Sequence, residues 1–199
     1  MKIYDISQEV FTCSVYPGDP VPEKRMQSSI LDGDACNLTV FSMCAHNGTH
    51  IDAPFHFIQE GKTVEQINLS RVVGYAYVAD APQVIGADEM KEIINKAKNC
   101  SDEAAKRILL KGSGEIDAKA AEVLKKENVL LIGTELQTVG PEKAPAEVHL
   151  LLLSDDTVLL EGIRLTDVPE GKYLLCAAPL NLGGADGAPV RAVLLDLEE

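Results

Sequence analysis

The sequence predicts a mixed α/β fold, a mixed sheet with packed helices, in one domain spanning residues 1–199. Three observations carry that expectation. Two amphipathic helical stretches alternate with short apolar runs in the middle of the chain. The first third is rich in β-branched and aromatic residues punctuated by turn chemistry. A chain of 199 residues with 46% hydrophobic content can bury one sizeable core, and its length favours one domain over two.

In chain order, KIYDIS from Lys2, the run from Val10 to Tyr16, and CNLTVFSMCA from Cys36 read as strands, separated by the turn residues Pro17-Gly18-Asp19-Pro20. A helix is expected from Asp88 to about Lys98, where an acidic start precedes apolar residues at Met90, Ile93, Ile94 and Ala97. RILLKG from Arg107 reads as a buried strand. A second helix follows from Asp117 to about Glu127, with Asp117 as N-cap and Asn128 as its stop. VLLIG, residues 129–133, then reads as another core strand. Strand and helix alternate in this way when helices cover a sheet.

The formal charge is -13, from 31 acidic against 18 basic residues, and no Lys/Arg block offers a footprint for a phosphate backbone, which argues against nucleic acid as a partner. Lys125 and Lys126 read as a solvated helix face. The start, MKIYDISQEV, is polar where a signal peptide needs an apolar core, and no apolar run approaches the ~20 residues of a spanning helix. A soluble cytoplasmic protein without a membrane partner is expected. Five cysteines without a CxxC pair fit reduced thiols. Cys44 is expected to be a buried strand cysteine.

Residues 46–56 read HNGTHIDAPFH, a dense set of metal-binding side chains at His46, His50, Asp52 and His56. All four lie at even offsets, so an extended backbone would project them from one face. Pro54 and Gly48 argue against a helix. Fully extended, the segment would be about 33 Å long, too far for four residues to meet one ion, so the chain must turn near Pro54. Imidazole and carboxylate together suit zinc, and also manganese or iron. The plainer alternative is a strand and turn with hydrogen-bonded histidines. His149 and Glu161 lie far along the chain, and spacing alone leaves them a helix-capping histidine and a strand-end carboxylate.

HNGTHIDAPFH matches in full the HxGTHxDxPxH signature of the bacterial cyclase family, best known for kynurenine formamidase activity, which the chain resembles over nearly its whole length. Tyr16-Pro17-Gly18-Asp19 resembles the family's WPGD loop. HLLLLSDDTVLLEGIRLTDVPEGKYLL, from His149, resembles its histidine helix and glutamate strand, and APLNLGGADGAPVRAVL its C-terminal signature. The resemblance implies a swivelling β/β/α-type domain. It implies that His46, His50 and Asp52 hold one divalent ion, with Asp52 bridging to a second held by His149 and Glu161. Zinc is the expected ion, with manganese as the alternative. His56 takes the acid/base place, and Tyr16 falls where formamidases carry a substrate-contacting tryptophan.

The activity so implied is hydrolysis of a small amide, formamide or lactone-like substrate, N-formylkynurenine first among them, by a homodimer or homotetramer. The alternatives are a cyclic imide, isatin-like or lactone substrate, or a non-catalytic metal-dependent binding protein. Where formamidases resemble VGIDTPSVD, residues 132–140 read IGTELQTVG, so Glu135, Thr138 and Gly140 depart from the pattern and are expected to alter the pocket or its surroundings. With no tryptophan, little stacking surface is left for an anilide ring. Gly183 to Gly187 lacks the Lys-Ser/Thr ending of a phosphate loop and reads as a tight loop before the last strand; the family resemblance implies that it lines the pocket, with Arg191 buried and paired to an acid.

Overall fold

The computed structural model describes residues 1–197. Its strands are β1 (Lys2–Asp5), β2 (Glu23–Ser28), β3 (Leu38–Ser42), β4 (His50–Asp52), β5 (Val73–Asp80), β6 (Val84–Ile85) and β7 (Arg107–Lys111). They continue with β8 (Glu115–Ile116), β9 (Leu131–Thr134), β10 (Val158–Glu161), β11 (Gly171–Cys176), β12 (Gly187–Pro189) and β13 (Val193–Asp196). The helices are α1 (Ala87–Cys100), α2 (Ala118–Lys126) and α3 (Ala146–Leu153).

Nine strands form one mixed sheet in the order β1-β13-β11-β5-β7-β9-β10-β4-β12. Its middle, β5-β7-β9-β10, is parallel, and the flanking pairs are antiparallel. The parallel strands are apolar on both faces, as strands covered on both sides must be. Ile108, Leu110, Ile132 and Leu159 point into one cluster with Met90, Ile93, Ile94, Ala121, Leu124 and Leu152 of the three helices. Leu109, Leu131, Val158 and Leu160 point the other way, into a cluster shared with Ile51, Leu175, Ala188 and Leu194. Both ends of the sheet thus close over one face. The Arg164 amide, just beyond β10, donates to Ile6 O, just beyond β1, at 2.9 Å.

The expected helices form where sequence placed them. Asp117 caps α2 by accepting from the Ala120 amide at 2.8 Å, and Asn128 leaves it with φ +55°. Gly86 caps α1, with the Glu89 carboxylate accepting the Gly86 amide proton at 3.1 Å.

Several expectations need correction. The run from Val10 to Tyr16 is not a strand. It holds a single 3-10 turn at Val10–Thr12, and its backbone bonds to the metal-motif turn instead, Ser14 O accepting from the Gly48 amide at 3.1 Å. Cys44 is half-buried and lies past the end of β3. Arg191 does pair with an acid, Asp5, but is exposed. All five cysteines are free thiols, as expected. No helix among the described residues is long and apolar enough to cross a membrane.

Candidate metal centre

Only His50 and Asp52 of the motif share a strand face, because β4 is three residues long. His46 reaches the same place from the turn before it. His56 arrives from a 3-10 turn, Pro54–His56, the bend that Pro54 was expected to impose. β4 lies between β10 and β12, so its neighbours complete the site. Register sets Glu161 opposite His50 and Gly187 opposite Asp52. His149 sits on α3, which packs against β10.

The structure brings His149 and Glu161 to Asp52. His149 Nε2 is 3.6 Å from Asp52 Oδ2 and 3.4 Å from Glu161 Oε1. His50 Nε2 is 3.5 Å from Asp52 Oδ1 and 3.4 Å from Glu161 Oε2. These spacings are long for hydrogen bonds. They match the ~3.3 Å edge of a tetrahedron whose donors sit about 2.0–2.1 Å from a central ion. Asp52 Oδ2 is buried without a hydrogen-bond partner, a costly condition that a cation relieves.

The imidazoles are oriented from behind. His50 Nδ1 donates to Gly48 O at 3.1 Å and His149 Nδ1 donates to Pro145 O at 2.8 Å, so both present Nε2 to the carboxylates. Such support of the distal nitrogen is the usual partner of metal ligation. Two donor sets share Asp52: His46, His50 and Asp52, and Asp52, His149 and Glu161. Three nitrogens and two carboxylates in a buried pocket fit a divalent ion. Asp52 Oδ1 accepts from His46 Nδ1 at 2.8 Å, which leaves Asp52 Oδ2 as the oxygen the cluster does not satisfy.

Without an ion the electrostatics are those of compensated charge. Burial alone would raise the Asp52 carboxyl, but His149, His46 and His50 hold it well below the usual range. Burial disfavours protonated His46 and His149, yet the carboxylates around them outweigh it. His46 is raised to about 9 by Asp52 and Asp186, and His149 to about 10 by Asp52 and Glu161.

The centre opens into a cavity of about 440 Å³ bordered by Tyr16, His56, Phe57, Gln137, Thr138 and Asp186. Tyr16 stands at its border with a second, smaller cavity, its hydroxyl donating to Glu142 O at 3.1 Å. Phe57 lies against the His149 ring, centroids 4.6 Å apart.

The departures at 132–140 divide by role. Glu135 is not in the cavity. Its carboxylate accepts from the Gly112 amide at 2.6 Å and the Leu165 amide at 2.8 Å, tying together the loops after β7, β9 and β10. Thr138 does line the cavity, and the next residue, Val139, donates its amide to Glu161 Oε1 at 2.8 Å. At Gly140 a Cβ would meet the Val148 Cβ at 3.1 Å, so the glycine admits the helix that carries His149. Sequence reasoning missed Asp186, whose Oδ2 lies 2.9 Å from His46 Nε2 and 3.1 Å from His56 Nδ1. It sat inside the glycine-rich stretch already expected to line the pocket, and that was the available signal.

A family model described as putative cyclase matches residues 4–141. The chain belongs to the cyclase family. Membership extends over the full chain, since the kynurenine formamidase of Geobacillus thermodenitrificans is 37% identical, covering 96% of this chain and 95% of its own length. That of Sphingopyxis alaskensis is 33% identical over 98% and 99%. Among solved structures, a potential metal-dependent hydrolase with cyclase activity superposes with a TM-score of 0.82 at 28% identity, covering 100% of this chain and 99% of that one. The cyclase fold therefore includes α3 and β10, which lie beyond residue 141 and carry His149 and Glu161.

Proposed function

We propose that this cyclase-family protein is a metal-dependent hydrolase that cleaves the carbon–nitrogen bond of a small amide, with N-formylkynurenine as leading substrate. One observation carries the reading: His149, distant in sequence, lies 3.6 Å from the orphaned oxygen of Asp52 and 3.4 Å from Glu161, with His149 and Glu161 lining an open cavity. The full-length likeness to proteins named kynurenine formamidase supports the choice of substrate.

In this reading His46, His50 and Asp52 hold one divalent ion, and Asp52, His149 and Glu161 the second. Zinc is preferred, with manganese next, because nitrogen and carboxylate donors accept both. Bound there, such ions supply Lewis acidity toward a carbonyl and acidify water toward neutral pH.

The chain's own residues do the rest. His56 takes the proton of the attacking water and returns it to the departing nitrogen as the C–N bond breaks, releasing formate and the free amine. Tyr16 and Phe57 wall the cavity and orient the ring of the substrate. Gly48 O and Pro145 O keep His50 and His149 turned toward the centre throughout.

A second reading, hydrolysis of a lactone, a cyclic imide or an isatin-like ring, is favoured by the absence of tryptophan, which leaves Tyr16 and Phe57 as the aromatic walls. The same proposal includes a cytoplasmic homodimer or homotetramer. Exposed Met26, Leu31, Leu38, Val40 and Phe41 on the β2–β3 hairpin support self-association. Light scattering tests it.

The decisive assay offers zinc- or manganese-loaded protein N-formylkynurenine, formanilide, isatin and a simple lactone. Turnover of N-formylkynurenine that vanishes in His56→Ala is expected. Preferred turnover of isatin or the lactone selects the second reading, and no turnover of any panel member points to a binding protein.

A further inference from the structure

One oxygen of Asp186 touches two imidazoles with different duties, Oδ2 meeting His46 Nε2 at 2.9 Å and His56 Nδ1 at 3.1 Å. The carboxylate is held there by its own backbone. Asp186 O accepts from the Ala53 amide at 2.9 Å, and Ala185 O accepts from the Val64 amide at 2.9 Å. The next residue, Gly187, pairs with Asp52 in the sheet. A Cβ on Gly187 would lie 2.7 Å from His46 Cε1 and 2.6 Å from Ile51 O, so only glycine lets this backbone press against the His46 ring. The loop is thus fastened to the very segment that carries His50, Asp52 and His56.

Each imidazole is left with one nitrogen for other work. His46 turns Nδ1 to Asp52 Oδ1 at 2.8 Å. The rings of His46 and His56 stack with centroids 4.0 Å apart, so neither swings without moving the other. A carboxylate oxygen is an acceptor with two lone pairs and serves two N–H donors at once. Facing Asp186, His56 carries its proton on Nδ1. Nε2, which makes no hydrogen bond among the described residues, becomes the basic nitrogen offered to the cavity.

We infer that Asp186 is a positioning residue that fixes the tautomer and orientation of His56 and, through the same oxygen, the ring of His46. Three features support it: the shared oxygen, the pinned loop and the stacked rings. The inference rests on the hydrolase reading in assigning His56 a proton to move, but the tautomer it predicts exists in the protein whether or not the substrate is right. Carboxylates behind working histidines fix tautomers in this way elsewhere, and loss of such a partner behind a metal ligand typically costs about 10–100-fold.

The test compares wild type, Asp186→Asn and Asp186→Ala. In long-range proton–nitrogen spectra of metal-free protein in mildly alkaline buffer, His56 of the wild type should show the Nδ1–H form, and Asp186→Ala should shift it toward Nε2–H. In ion-loaded enzyme, kcat should fall about 10–100-fold in Asp186→Ala with KM changed far less, and Asp186→Asn, whose amide oxygen still accepts N–H but carries no charge, should recover part of it. Should Asp186→Ala fold poorly, Asp186→Leu, of similar size and without an acceptor, carries the spectral comparison alone. An unchanged His56 tautomer overturns the inference even if the enzyme is active. A shifted tautomer in a protein that turns over nothing upholds the positioning and sinks only the hydrolase reading. Loss of a bound ion in Asp186→Ala, with His56 needed to hold it, would make Asp186 a ligand and also overturn the inference.

Discussion

Glu161 stands directly opposite His50 in the antiparallel pairing of β10 with β4, which brings its Oε2 within 3.4 Å of His50 Nε2. A slip of one residue would turn Glu161 to the other face of the sheet. Sheet register, more than any local motif, assembles the centre.

His56→Ala removes the proton carrier without touching either donor set around Asp52. Activity on the preferred substrate is expected to fall by about 10²–10⁴. Bound metal and melting temperature should stay near wild type. Elemental analysis and calorimetry of the same preparation check this, and a variant that keeps full kcat would remove His56 from the mechanism.

His149→Ala deletes one nitrogen from the set that includes Glu161. Bound zinc should drop from about two ions per chain to about one, the remaining ion staying with His46, His50 and Asp52. A variant that still carries two ions refutes the ligand assignment.

In the metal-free protein, His46 and His149 have folded-state values of about 9 and about 10, above the ordinary 6.5. Their protonation therefore stabilises the fold. That contribution is fully present below about 6.5 and is lost as pH rises through 9 to 10. The melting temperature of stripped protein should fall over this window, and ion loading at pH 7 should expel at least two protons, from His46 and His149 and in part from His50, whose pKa the buried carboxylates also raise, because ligating imidazoles must be neutral. Calorimetric titration in buffers of different ionisation enthalpy counts those protons. A binding heat independent of buffer contradicts the prediction.

Glu135→Ala breaks the carboxylate tie to the Gly112 and Leu165 amides. Hydrogen bonds to charged groups contribute about 1.5–3 kcal/mol each, and part of that returns when water reaches the freed amides, so a loss of about 2–3 kcal/mol is expected. Urea unfolding measures it. Metal content should be unchanged, since Glu135 belongs to neither donor set around Asp52.

Much of this was legible in the sequence for physical reasons. The helices over 87–100 and 118–126 announce themselves by 3.6-residue periodicity and by caps such as Asp117. The strands at Arg107–Lys111 and Leu131–Thr134 announce themselves as short apolar runs. Local pattern failed where tertiary contacts decide. Val10 to Tyr16 has strand-like composition, but its polar backbone is taken up by Gly48 and Gln8. β5, the interior strand Val73–Asp80, was not read at all, since its glycine and alanines weaken the apolar signal. The expected single-faced projection of the motif fails because β4 ends after Asp52, and His46 arrives from a turn. Membership of the His149–Glu161 pair came from resemblance to a family, not from spacing, since sheet register is invisible in one sequence. Glu135, expected to alter the pocket or its surroundings, is a clamp between loops outside the cavity.

The central claim is that Asp52, His149 and Glu161 jointly ligate an ion. Anomalous scattering from crystals grown with zinc tests it most directly. The account predicts a zinc peak about 2.0–2.2 Å from Asp52 Oδ2, His149 Nε2 and a Glu161 oxygen. Zinc bound elsewhere, with these three side chains contacting only one another, would contradict it.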